Sequence, residues 1–275
     1  MIRCMTDYWN PGEEYRAVSL LERQHRIYDW NMRRLQLVSK RSNVWNRQYP
    51  LIAQAQAFCG GMWPVMASPL SGDTYITLSE LQQYNDSVFL LDARMTEILF
   101  ALQVLHDDGF MLGAVSPALF GVSIDGEIAR TELLDLSGAM SVDDLPMPEA
   151  IMPDPESIEF LSPELAQYIA VSPKEGTDDL LDMQEWLGPA SDIFSLGLIY
   201  HLILTGRMPK LIHPEYGNCA NAICHEARPE DAVELDESIN GKRSELIYRM
   251  LRMNPLDRPM RCDEIVRRIL DFYTA

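Results

Sequence analysis

From Phe110 to Ile124 no residue carries an ionisable side chain. Whatever loop this run forms must work without a charged or titrating group. It is also shorter than the roughly 18 apolar residues that mark a membrane-span candidate, and no longer apolar run occurs. Upstream, Leu91, Met95, Ile98, Leu99, Leu102 and Leu105 form a helical stripe that ends in Leu105-His106-Asp107-Asp108-Gly109. Downstream come Leu134-Asp135-Leu136-Ser137-Gly138, then Leu161-Ser162-Pro163-Glu164. After these come the nearly all-apolar stretch from Asp192 to Leu204 and Asn254-Pro255-Leu256-Asp257-Arg258-Pro259. Such an apolar stretch predicts a helix buried on all sides. Glu245–Met253 and Asp263–Tyr273 read as amphipathic helices.

In this order, over about 90–270, the motifs resemble the C-terminal lobe of a protein kinase. The resemblance implies an α+β, protein-kinase-like bilobal fold, with a mainly helical C-lobe at 68–275 and a reduced or divergent β-rich N-lobe at 1–67. Aligned on Pro117, Leu112, Gly113 and Ala114 stand where the family's catalytic loop has His, Arg and Asp, and Leu119 stands where it has Asn. In the family the Asp accepts the substrate hydroxyl proton and the Asn holds a magnesium ion. Ala114 and Leu119 can do neither. Asp135-Leu136-Ser137 resembles the Asp-Phe-Gly signature, so Asp135 is the one retained candidate metal ligand, with an exposed or capped carboxylate as the other reading. Leu112 and Leu136 replace the His and Phe of the regulatory spine with apolar side chains. Gly121 stands where a large residue would floor the adenine pocket.

The N-terminal side points the same way. Lys40 is the only lysine before Lys174, and Gly12 the only glycine before Gly60. A phosphate-covering loop needs several glycines so that backbone can approach the anion. Tyr15–Leu21 is expected to be a strand, with Ala17–Leu20 at the position of the family's lysine-bearing strand. A helix resembling αC follows at 28–41, where Arg33 or Arg34 takes the place of the αC glutamate. Leu51–Cys59 reads as a strand, Gly60-Gly61 as a turn, and Ser68–Asp73 as a hinge. Thr77 with Glu80 forms a capping-box pattern for a short helix.

Glu164 and Arg258 resemble the family's buried ion pair. Asp192 resembles the aspartate that holds the catalytic-loop backbone; a buried carboxylate needs donors, and amides near Leu112 and Gly113 are the expected ones. His106 is expected to be structural. Cys219, Cys224, His225 and Cys262 raise the question of zinc, but the Cys-x4-Cys spacing is longer than in common knuckles. Ordinary thiols are expected, and no cofactor.

A net charge of −18 argues against nucleic acid and against anionic membrane. Five scattered cysteines and the absence of a leader-like apolar start suggest a cytoplasmic setting. Acids concentrate in 143–185. This is either a solvated loop or a surface for a basic protein partner. The expected function is that of a pseudokinase, a regulatory or scaffolding domain without phosphotransfer activity. The alternative is an atypical nucleotide-dependent transferase of the adenylylation or glutamylation type. It would draw phosphate donors from Arg16, Arg23, Arg26, Arg33 and Arg34, with Asp135 as metal ligand.

Overall fold

The computed structural model describes residues 14–54, 56–58, 65–67, 75–78, 87–125, 128–145, 151, 157–170, 185–211 and 233–274. Helices and small antiparallel sheets share one chain, an α+β arrangement. No helix among the described residues is long and apolar enough to cross a membrane.

The first element corrects the sequence reading. Tyr15–Leu21 is not a strand but the opening of one helix, α1, that runs Glu14–Gln48 and contains the expected 28–41 helix. The local sequence explains this. No glycine or proline interrupts 14–48, so nothing between Leu21 and Tyr28 could end a strand and start a helix. Pro50 biases Tyr49 away from helical dihedrals, and the helix stops at Gln48. Leu35, Val38, Ser42 and Trp45 make its buried face. Trp45 packs edge-on against Phe110, with centroids 5.1 Å apart, and its indole N–H donates to Asp108 Oδ2 at 2.9 Å. One buried aromatic thus ties α1 to the turn that follows the next long helix.

Strands β1 (Gln56–Phe58) and β2 (Val65–Ala67) pair antiparallel. Strand β3 (Tyr75–Thr77) pairs with β5 (Phe120–Asp125), which pairs in turn with β6 (Ile128–Leu133). Thr77 ends a strand opposite Gly121; the short helix expected from it, with Glu80, lies outside the described residues. The aromatic and β-branched Tyr-Ile-Thr sequence suits a pleated surface. Gly121 sits in mid-sheet between Thr77 and Glu132. Ile52 bridges to Leu133, and Ala53 N–H donates to Leu133 O at 2.8 Å.

Helix α2 (Val88–Asp107) opens at Ser87, whose Oγ accepts from Leu90 N at 3.4 Å. Its apolar stripe packs against α4 (Pro189–Thr205) and α6 (Cys262–Leu270). Residues 191–201 of α4 are buried without exception, as its composition requires. Helix α5 (Gly241–Met250) lies so close to α4 that a Cβ at Gly197 would come 2.9 Å from Leu251 Cδ2. The short α3 (Pro163–Ala170) follows a 3₁₀ turn at Ile158–Phe160. Short pairs β4 (Phe110–Met111) with β7 (Met140–Ser141), and β8 (Lys210–Leu211) with β9 (Val233–Glu234), complete the described elements. One apolar cluster joins Val38, Trp45 and Ile52 to the α2, α4 and α6 core, and includes Leu112 and Leu136.

Candidate functional site

The uncharged run becomes β4, a loop, the 3₁₀ turn Pro117–Leu119 and β5. The loop is held from below by Asp192, in the first turn of α4. Its Oδ2 accepts from Leu112 N at 2.8 Å and its Oδ1 from Gly113 N at 2.7 Å. His106 Nε2 lies 2.9 Å from Asp192 Oδ2, and Cys262 Sγ lies 3.6 Å from His106 Nδ1. Burial opposes charge on the His106 ring. The Cys262 sulfur and the Asp192 carboxylate act the other way and bring the ring up to about 10. This is a mechanical anchor: one buried carboxylate shared among two amides and the His106 ring.

Gly113 has φ +77°, and a Cβ there would come 2.8 Å from Met140 Cε. Only glycine fits this conformation comfortably, so the position that resembles the catalytic-loop Arg carries no side chain. Ala114 is half-buried and packs on the small cluster of Met111, Met140, Leu161 and Leu165. Leu119 is buried in the main cluster. Its carbonyl accepts from Leu134 N at 2.9 Å and Asp135 N at 3.3 Å, so its backbone, not its side chain, serves the site.

Asp135 is half-buried, and its Oδ1 accepts from Ser137 N at 2.7 Å. The cation beside it is Arg34. Arg34 Nη1 donates to the carbonyls of Ser137 and, at 3.0 Å, of Ala139. Its Nη2 donates to Asn31 Oδ1 at 3.3 Å, and the guanidinium stacks 5.3 Å from the Trp30 ring centre. Burial brings Arg34 down to about 10, against the opposing pull of the Asp135 charge. Arg33, its neighbour, is exposed, and its Nε donates to the Asp29 carbonyl of its own helix at 3.4 Å. Of the two arginines that resemble replacements for the αC glutamate, the packed one is Arg34. It grips the turn after Asp135 by main chain. The turn itself sits directly on the loop: a Cβ at Gly138 would come 2.9 Å from Leu112 O.

The Arg34 charge beside Asp135 opposes a divalent metal there, because the arginine competes for the carboxylate's charge. No group of three or more His, Cys, Asp or Glu suited to a metal occurs among the described residues. Cys219, Cys224 and His225 lie outside them. In the acidic segment, Asp143, Asp144, Glu159 and Glu185 are exposed, while 146–150, 152–156 and 171–184 lie outside the described residues.

Glu164 and Arg258 meet in a buried fork at 2.7 and 2.9 Å. Arg258 also donates to the carbonyls of Arg252, Met253 and Ala190, and Glu164 accepts from Ser191 Oγ at 2.7 Å. The guanidinium lies 4.9 Å from the Phe194 ring centre. Arg258 thus places all five of its N–H groups.

A second buried charge cluster went unread in the sequence. Asp92 accepts from Tyr200 Oη and Tyr273 Oη at 2.5 Å and from Arg243 at 2.6–3.2 Å. Burial, followed by the Asp92 charge, pushes the Tyr200 phenol up. The available signal was an acid inside the apolar stripe of α2. Its partners lie too far along the chain for spacing to reveal them. Comparison with protein-family models finds no match, and comparison with curated proteins finds none either.

Proposed function

We propose that this chain is a degenerate relative of the protein kinases, with the corresponding bilobal plan, and that it works as a protein-binding or regulatory domain rather than a phosphotransferase. The observation that carries the reading is Arg34. A cation whose charge acts on Asp135 spends its Nη1 donors on the carbonyls of Ser137 and Ala139, so it braces a turn instead of waiting for phosphate. The loop beneath supports the same reading. Ala114 and Leu119 offer no base and no ligand, and a positioned base alone is worth about 10² to 10⁴ in rate. Leu112 and Leu136 pack into one apolar cluster with Val38. A spine built that way suits a fixed shape rather than a switch.

The transferase alternative has one observation in its favour: a cation does lie beside Asp135. Its engagement with main chain is what sets that reading second. A basic protein partner for the acidic 143–185 segment fits the exposed Asp143, Asp144, Glu159 and Glu185.

Incubation with ATP labelled at the α or the γ phosphorus, with Mg²⁺ or Mn²⁺ and a mixture of acceptor proteins, tests the reading. No label should be transferred from either position. Transfer of the γ label would restore a kinase, and transfer of the α label an adenylylating enzyme. Either is to be checked for loss in Asp135→Asn.

A further inference from the structure

The chain is strongly acidic, yet from Trp30 to Gly72 it contains no acid at all and five cations, all on α1. The structure divides these five. Arg34 turns inward to the Ser137 and Ala139 carbonyls, and Arg41 pairs with Asp108 at 3.3 Å. Arg33, Lys40 and Arg47 remain exposed, and none makes an ion pair among the described residues.

Two aliphatic side chains lie among them. Leu37 and Val44 are each 41% exposed, on the face opposite Leu35, Val38, Ser42 and Trp45. The order Arg33, Leu37, Lys40, Val44, Arg47 has spacings of four, three, four and three. The five therefore share one face of the helix, with the two aliphatic side chains set between the three cations. Asp29 closes the stripe at its N-terminal end.

We infer that this outer face of α1 docks an acidic amphipathic helix of a partner protein. Apolar residues of that helix cover Leu37 and Val44, and its carboxylates meet Arg33, Lys40 and Arg47. Charge decides among occupants. A second copy of α1 laid on this face would set cation against cation. Nucleic acid would meet the cations but leave Leu37 and Val44 uncovered, and a broad anionic membrane would face far more of the acidic remainder than one short helix does. An acidic amphipathic helix answers both the cations and the two aliphatic side chains between them. The inference rests on α1 alone and does not depend on the kinase-like reading.

The probe is a labelled synthetic peptide of about three heptads. It carries leucine opposite Leu37 and Val44, and glutamate opposite Arg33, Lys40 and Arg47. It is titrated with the intact chain by fluorescence anisotropy at about 20 mM and about 150 mM salt, because screening weakens exposed pairs. Saturable binding is expected, weaker at the higher salt. Binding should fall at least tenfold in R33E/K40E/R47E and return when a lysine-for-glutamate peptide is offered to that variant. L37D/V44D should lose both. Should the charge-reversed chain fail to fold by circular dichroism, R33Q/K40Q/R47Q reads the same loss. The inference is overturned by absence of saturable binding, or by binding that ignores all these substitutions. It is equally overturned if single-stranded DNA or phosphatidylserine vesicles bind through the same residues as tightly as the peptide. Sedimentation showing a homodimer that L37D dissolves would give the face to a second copy and overturn it too.

Discussion

Two arginines, Arg258 and Arg34, occupy buried or half-buried positions and are used in opposite ways. Arg258 meets a carboxylate in a two-pronged fork and fills its remaining donors with three carbonyls. Arg34 lies beside a carboxylate but bonds main-chain carbonyls, and its Nε is buried with no acceptor. The first site is a closed mechanical tie between the segment at Glu164 and the loop before α6. The second braces a turn and leaves part of its donor capacity unused. On the proposed reading, ties that hold the scaffold together are kept at full strength. Groups that would act on a phosphate have been redirected to backbone or replaced by apolar side chains.

The comparison can be broken most forcefully at Arg258. Arg258→Ala strands the buried Glu164 carboxylate and should cost roughly 3–5 kcal/mol of stability. Chemical denaturation measures it, and an unchanged midpoint would remove the tie from the comparison. Next comes the Asp192 anchor, read by pH. The His106 ring is raised in the folded chain to about 10 from an ordinary value of 6.5. Its contribution to stability is therefore complete below about pH 6.5 and lost as pH rises through about 10. Melting midpoints should fall across that window, and His106→Gln should flatten the fall. A profile of the same slope in the variant would mean the ring is neutral. Smaller again is Arg34→Met, which keeps the stem and removes the donors. Leaving the Ser137 and Ala139 carbonyls short of partners should cost about 1–3 kcal/mol, with faster amide exchange confined to the 136–140 turn. A variant of full stability would mean that Arg34 is not a brace.

The sequence made the helical core legible and the N-terminal part much less so. The α2 and α4 stripes could be read because burial leaves a period and a composition that few residues contradict. The Asp192 contacts were legible through the family resemblance, which sets this aspartate under the loop, and through the need of a buried carboxylate for donors. Tyr15–Leu21 was misread because the family resemblance asks for a strand there, while the local sequence lacks any breaker. The inward turn of Arg34 rather than Arg33 could not be read from spacing. Adjacent residues on a helix point about 100° apart, and only packing against the 137–139 turn chooses between them. The Asp92 cluster depends on Tyr200, Arg243 and Tyr273, brought together by the fold alone.

The most direct test is nucleotide binding by the intact chain, followed by isothermal titration and by thermal shift with millimolar ATP and Mg²⁺ or Mn²⁺. No heat of binding and no rise in melting midpoint are expected. A stabilisation of several degrees, which a ligand well above its dissociation constant would produce, would contradict the reading if it vanished in Asp135→Asn and Arg34→Met. It would show that the carboxylate and the arginine beside it still hold a nucleotide.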